Sequence, residues 1–298
     1  MLRKIFIALL MFASTLVYAG FNPRQSTVRV VVPYAPGGGP DTVYRIFEYY
    51  AAKHNIEMVP VHRPGADGQI GIAYAETVKP DGYNLMLTIA GDLSLRDYSK
   101  NFYPVSAICQ TSMYIVTSVN SEVNNLSDLY AHMRADPKKL SWANSSKSID
   151  RDINWIARKH NTSLGDLIFT RYNKGGPLAV AGGHVDIGIW PASIVESLVL
   201  SNKLKVLGKY QAIDPAPTGT QSIEQTLGKM DRLNGYGVFL PASTSTEVQE
   251  YWSRFVEQFK NDPEVQQMLR NKFFTMFPPG NKVLIGIIDY NREIAKND

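Results

Sequence analysis

Three consecutive glycines set between an apolar run and a helical pattern constrain this chain more than anything else in it. The stretch is VRVVVPYAPGGGPDTVYRIFEYYAAKH, Val28 to His54. Val28 to Val32 predicts a buried strand, and Pro33-Tyr34-Ala35-Pro36 ends it. Gly37-Gly38-Gly39-Pro40-Asp41 forms a loop, after which Thr42 to Lys53 predicts a helix with Val43, Ile46, Phe47 and Tyr50 on one face. The first amides of such a helix have no partner within it, and glycines leave the backbone open to approach. The stretch therefore offers a cradle for a carboxylate or phosphate oxygen, a tight turn that only packs being the alternative. GxxxxGK[ST] is absent, and Pro40 and Asp41 break GxGxxG, so a nucleotide loop is excluded. Asp41 reads as a helix cap, with contact to a ligand amine or hydroxyl as the alternative.

The same logic continues downstream. Ile56 to Val61 predicts a second strand, Gln69 to Val78 a helix and Tyr83 to Ile89 a third strand. Strand and helix alternating at this spacing give a parallel sheet with crossover helices. The small-residue loop Ala90-Gly91-Asp92-Leu93-Ser94 then belongs on the same sheet edge as residues 34–41, because ligand loops follow the carboxyl ends of strands. Tyr103 to Gln110 and Tyr114 to Ser118 are two short strands.

A second unit opens near Asn120, with a helix capped by Ser127, a strand at Leu140 to Asn144 and the loop Ser145-Ser146-Lys147-Ser148. Helix Ile149 to His160, strand Leu167 to Arg171 and the loop Tyr172-Asn173-Lys174-Gly175-Gly176-Pro177 follow. Strand Val185 to Trp190, helix Pro191 to Leu200 and strand Leu204 to Gly208 complete the unit. Gly235 to Leu240 predicts a strand returning to the first unit, ahead of helices at Glu247 to Asn261, from Asp262-Pro263, and at Lys282 to Ile294. The expected division is residues 20–115 with 238–298 in a first α/β lobe and 116–237 in a second. Two crossings between lobes suit a cleft that opens and shuts.

Composition limits what such a cleft can serve. Arg3 and Lys4 precede the apolar stretch Ile5 to Val17, and Val17-Tyr18-Ala19 supplies a cleavage site. Residues 1–19 thus read as a secretory signal peptide cut after Ala19; a membrane anchor is the alternative, on a stretch shorter than the roughly 20 residues a span needs. Loss of Arg3 and Lys4 lowers the formal charge from +4 to +2, and the remaining basic residues are scattered, so no nucleic acid partner is expected. Cys109 is the lone cysteine, which with export fits a periplasmic protein that relies on its core rather than on disulfides. The five histidines show no metal spacing, GxSxG is absent, and position 148 of the Ser145-Ser146-Lys147-Ser148 run is serine where SxxK needs lysine. No catalytic residue, metal or cofactor is expected. Lys147, Arg151 and Lys174 are the cations placed to neutralise an anionic ligand, solvated loop charges being the alternative. Tyr34 and Trp190 are candidate aromatic walls, with core burial equally open for Trp190.

Four segments then carry a family resemblance: VVPYAPGGGPDTVYR (31–45), HRPGADGQIGIAYAETVKPDGYNLML (62–87), RYNKGGPLAVAGGHVDIGIW (171–190) and YGVFLPAST (236–244). With NDPEVQQMLRN (261–271), in this order, they resemble the extracytoplasmic solute receptors of tripartite tricarboxylate transport systems, the TctC or Bug family. The resemblance implies a two-lobed α/β periplasmic-binding-protein fold of type II with a central ligand cleft, closing on a small organic carboxylate. It implies ligand contacts from Tyr34, Ala35, Gly37, Gly38, Gly39, Asp41, Ala90, Gly91, Asp92 and Ser94 in the first lobe. In the second lobe it implies Asn144, Ser145, Ser146, Lys147, Ser148, Tyr172, Asn173, Lys174 and Gly175, with Trp190 as a wall. The implied partners are membrane subunits of a tripartite tricarboxylate transporter, met by a monomer in the periplasm. A sensor handing its closed form to a signalling protein is the alternative function, and a hydrolase a remoter one. Asn144 to Arg151 departs from the family's glycine- and histidine-bearing turn, and Ala216 to Glu224 is stretched; by placement alone, Lys147 and Arg151 are candidates for selecting a di- or tricarboxylate.

Overall fold

The computed structural model describes residues 20–172, 175–211, 220–228, 230 and 235–297. The signal-peptide reading of residues 1–19, the contacts expected of Asn173 and Lys174, and the stretched segment at 216–219 lie outside the described residues.

Alternation of apolar residues builds the first half. β1 (Val28–Val32) is followed by α1 (Gly39–Lys53), β2 (Met58–His62), α2 (Gln69–Ala75) and β3 (Asn84–Ile89), and β1 pairs in parallel with both β2 and β3. A 3₁₀ segment, Ala90–Leu95, and a single turn, α3 (Tyr98–Asn101), lead into β4 (Phe102–Thr111). Val28, Val30 and Val32 point to one face, where α1 packs, while Val31 points to the other against α2, as a two-residue period dictates. Burial of each such side chain contributes about 1.5–3 kcal/mol.

The second sheet begins one residue later. β5 (Met113–Ser118) follows Ser112 directly, then α4 (Leu126–Ala135), β6 (Ser141–Asn144), α5 (Lys147–Arg158), β7 (Ile168–Arg171), α6 (Gly176–Ala181), β8 (Ile187–Pro191), α7 (Ala192–Leu200) and β9 (Leu204–Tyr210). After the short α8 (Ile223–Leu227) the chain returns as β10 (Tyr236–Pro241), which runs antiparallel between β3 and β4. α9 (Thr246–Asn261), α10 (Pro263–Arg270), β11 (Phe274–Met276) and α11 (Lys282–Asn297) complete the first half. Among the described residues the strand orders are β11-β4-β10-β3-β1-β2 and β7-β6-β8-β5-β9, each sheet with a core on both faces.

Three helix starts differ from expectation by two residues or more, one being α5, which begins at Lys147 rather than Ile149 with Ser146 as its N-cap. α1 begins at Gly39 rather than Thr42, with Gly38 as its N-cap, because Pro40 fits the first turn where no amide is required. Asp41 is therefore inside the helix and is not its cap; its Oδ2 accepts the amide of Gly37, which precedes the helix, at 2.9 Å. α4 is capped by Asn125 rather than Ser127: the Asn125 side chain accepts the Asp128 amide at 2.9 Å.

Candidate functional site

Between the sheets lies a cavity of about 1060 Å³, reached by both halves of the chain. Its first-lobe wall is the start of α1. Gly37 spends its amide on Asp41, but the amides of Gly38, Gly39 and Asp41 have no partner among the described residues, and no side chain caps this end. They carry the positive end of a 15-residue helix, and Gly38 and Gly39 face the cavity. Tyr34, Ala35 and Gly37 line the same wall. The Tyr34 hydroxyl donates to Asp92, and burial, then Asp92, pushes its pKa well up, so it stays a neutral donor committed to that carboxylate. This bond ties the loop after β1 to the loop after β3, which places both on one sheet edge as the spacing predicts.

The opposite wall is the start of α5. Ser145, Ser146 and Lys147 reach the cavity, with Ser146 as N-cap accepting the Ile149 amide at 3.4 Å. Behind them runs a chain of buried polar contacts. The Ser146 amide donates to Asn144 Oδ1 at 2.9 Å, Asn144 Nδ2 to Asp150 Oδ1 at 2.9 Å, and Asp150 Oδ2 accepts Arg171 Nε at 2.9 Å. Arg171 lines the cavity beside Tyr172 and Gly175. Its hydrogen bonds to Asp150 raise the guanidinium pKa further, Asp67 across the cleft adding to this, so Arg171 is a permanent cation fixed at one edge. Trp190 serves as both core and wall: its ring fills the space over Gly176 and Gly188, and it is only 2% exposed.

Several expected positions do not reach the cavity. Asp41 is turned to Gly37 and to His62, whose Nε2 lies 3.2 Å away. Ala90 is fully buried with its amide on Gly235, and Gly91 accepts the Ser94 hydroxyl at 2.6 Å. Asn144 is fully buried in the relay just described. Arg151, in α5, lies off the lining. Sequence reasoning missed Arg171, read only as the end of a strand, and Tyr236, read only as part of the returning one. It also missed the lip Pro64 to Gly68, where Gly65, Ala66, Asp67 and Gly68 all have positive φ. Two of those four are not glycine, and the left-handed conformation costs such residues about 1–2 kcal/mol each. The run HRPGADG carried that signal.

No group of His, Cys, Asp and Glu among the described residues could hold a metal ion. Two α/β domains, a mixed sheet in each, and a cleft between them define a periplasmic binding protein of type II fold. The model of the tripartite tricarboxylate transporter family receptor, TctC, matches residues 50–294, and the chain belongs to that family. Its members are binding proteins, and this chain is one rather than an enzyme. A relative from Bordetella pertussis, a UPF0065 protein, is 22% identical over 97% of this chain and 93% of its own. Among solved structures, the R. palustris protein Rpa4515 with adipate superposes at a TM-score of 0.81 with 18% identity, covering 91% of this chain and 95% of that one. MatC from Rhodopseudomonas palustris with bound malate gives 0.76 at 19% identity, covering 91% and 98%.

Proposed function

We propose that the protein is a periplasmic receptor that captures a small dicarboxylate and delivers it to a membrane transporter of the tripartite tricarboxylate type. One observation carries the reading: unpaired amides at Gly38 and Gly39 face two cations, Lys147 and Arg171, across one cavity. One carboxylate of the ligand sits on the amides at the start of α1, and the other meets the cations of the second lobe. Charge-assisted hydrogen bonds of this kind are about twice as strong as neutral ones, and they strengthen further as closure removes water. Capture begins on the first lobe, since its amides are held by Asp41 and the helix start whether or not the second lobe is near. Closure then adds Lys147 and Arg171, and the closed form is what the membrane partner distinguishes.

Malate and adipate, held by two proteins of the same fold, support this choice of ligand class. The signal-peptide pattern and the family support a periplasmic location, with cleavage near Ala19. Mass spectrometry of acids released from freshly purified protein, followed by calorimetry with malate, adipate and citrate, tests the reading. A dicarboxylate bound at micromolar or better affinity is expected. Failure to bind any of the three, with no acid released, would discard it.

A further inference from the structure

The cavity holds a donor that neither the glycine loop nor the second-lobe cations account for. Tyr236 opens β10, pairing with Ile89 of β3 on one side and Cys109 of β4 on the other. The register on the β4 side shifts between Tyr236 and Gly237, Ile108 being the extra residue on β4, so the ladder is irregular beside Tyr236. Tyr236 is only 5% exposed, and its ring packs edge-on against Phe274 with centroids 5.5 Å apart. It lies directly over Gly39: a Cβ built there would run into the Tyr236 hydroxyl oxygen and come within 3.1 Å of Cζ. Yet that hydroxyl, at the cavity wall, has no hydrogen-bond partner among the described residues. Its neighbour Tyr34 is already committed to Asp92.

We propose that the Tyr236 hydroxyl is the third donor of the first-lobe carboxylate cradle, completing the set begun by the Gly38 and Gly39 amides, and that it determines the cradle's preference for a carboxylate over an uncharged isostere. The inference rests on the dicarboxylate reading above. A carboxylate has about four lone-pair sites, so two amides leave it short of donors in a site closed to water. A locked phenol supplies one with little rotamer entropy to lose, because burial has already fixed the ring. Burial, reinforced by Cys109 and Asp92, raises the phenol's pKa, so it remains a donor throughout the range in which a carboxylate is ionised. The glycine at position 39 then has a second reason to be there. It exposes its amide, and it also leaves room for the phenol to reach the same point.

Tyr236→Phe keeps the ring against Phe274 and removes only the donor. Calorimetry with malate and adipate on the wild type and the variant, each also against its monoamide, reads the effect, and thermal unfolding without ligand checks the fold. Loss of one hydrogen bond to a charged group is expected to weaken the acid roughly ten- to hundredfold. The monoamide should lose less, so the preference for acid over amide shrinks, with the ligand-free melting temperature unchanged. A structural role alone would lower the melting temperature and leave that preference intact. If the wild type binds a diacid and Tyr236→Phe binds it within twofold, the assignment is wrong while the receptor reading stands. If the wild type binds neither acid, the reading and the assignment fall together.

Discussion

Asp150 is the residue through which the second-lobe wall is assembled, and its removal gives a worked test. Its side chain is 10% exposed and accepts from Asn144 Nδ2 at 2.9 Å and from Arg171 Nε at 2.9 Å. Asp150→Ala strands the amide of the fully buried Asn144, which costs about 1–3 kcal/mol. The Arg171 side chain is 44% exposed and turns to water instead, so solvent screening holds its share to about 1 kcal/mol. Urea denaturation at pH 7 should therefore show a loss of roughly 2–4 kcal/mol for Asp150→Ala. Arg171→Ala alone leaves Asp150 without its cation and should cost about 1 kcal/mol. The double variant should be no worse than Asp150→Ala, because once the acid is gone Arg171 has nothing left to hold. The coupling is then about 1 kcal/mol, above the roughly 0.5 kcal/mol scatter of additive pairs. Strict additivity, or a loss below about 0.5 kcal/mol for Asp150→Ala, would refute the relay from Arg171 to Ser146 as a source of stability.

Gly39→Ala forces a methyl group against the buried Tyr236 ring and should destabilise by about 1–3 kcal/mol in the same denaturation assay; an unchanged midpoint would mean the ring yields freely. Arg171→Gln and Lys147→Ala should each weaken a bound dicarboxylate about tenfold by calorimetry, whereas Arg151→Ala, off the cavity wall, should stay within twofold. His160 is buried, stacks on Tyr130 at 4.4 Å, and has its pKa lowered by burial first and Arg134 second. Its folded value lies below the ordinary value of about 6.5, so as pH falls through that value the unfolded chain takes up the proton first and stability is lost. His160→Phe keeps a stacked ring and should flatten the fall in stability between about pH 7 and 5; an identical slope in both proteins would reject this source.

Legibility in the sequence followed how local the determining physics was. β1, the glycine loop and the helices after it could be read because the four valines of Val28–Val32 are buried and the breakers are glycine and proline. The helix starts slipped where two residues competed: Asn125 and Ser127 both cap well, and only the turn geometry shows that Asn125 reaches the Asp128 amide. β11 escaped because it is three residues long and follows Phe273, whose φ of +57° is not a conformation sequence favours for an aromatic. Lys147 was legible as a cation beside a loop. Arg171 was not, since what makes it part of the site is Asp150, 21 residues away and aligned with it only after β6 and β7 pair. Tyr236 was hidden for a similar reason. Its role depends on the room that a missing side chain leaves at Gly39, 197 residues away in sequence, which has no local signature.

The same contacts bear on the proposed closure of the two halves. The chain passes from β4 to β5 through Ser112 alone, whose carbonyl accepts the Ala192 amide at 2.8 Å, so this crossing is anchored to the second lobe at once. A further link is not a crossing at all. Phe273 packs among second-lobe residues, edge-on to Tyr114 at 6.5 Å, while Phe274 beside it pairs with Thr111 and packs on Tyr236 in the first lobe. Two successive aromatic side chains serve different lobes because Phe273 is left-handed, a conformation that costs about 1–2 kcal/mol and persists only where packing on both sides enforces it. Lys272, 3.7 Å from Glu196, adds an ionic contact across the same boundary, though both its exposure and its length make it weak. The closure proposed above, if it turned about Ser112, would slide Phe273 over Tyr114. Phe273, which would take up that motion, is one removed from Phe274, which supports Tyr236, so the proposed closure would leave the cradle fixed on the first lobe.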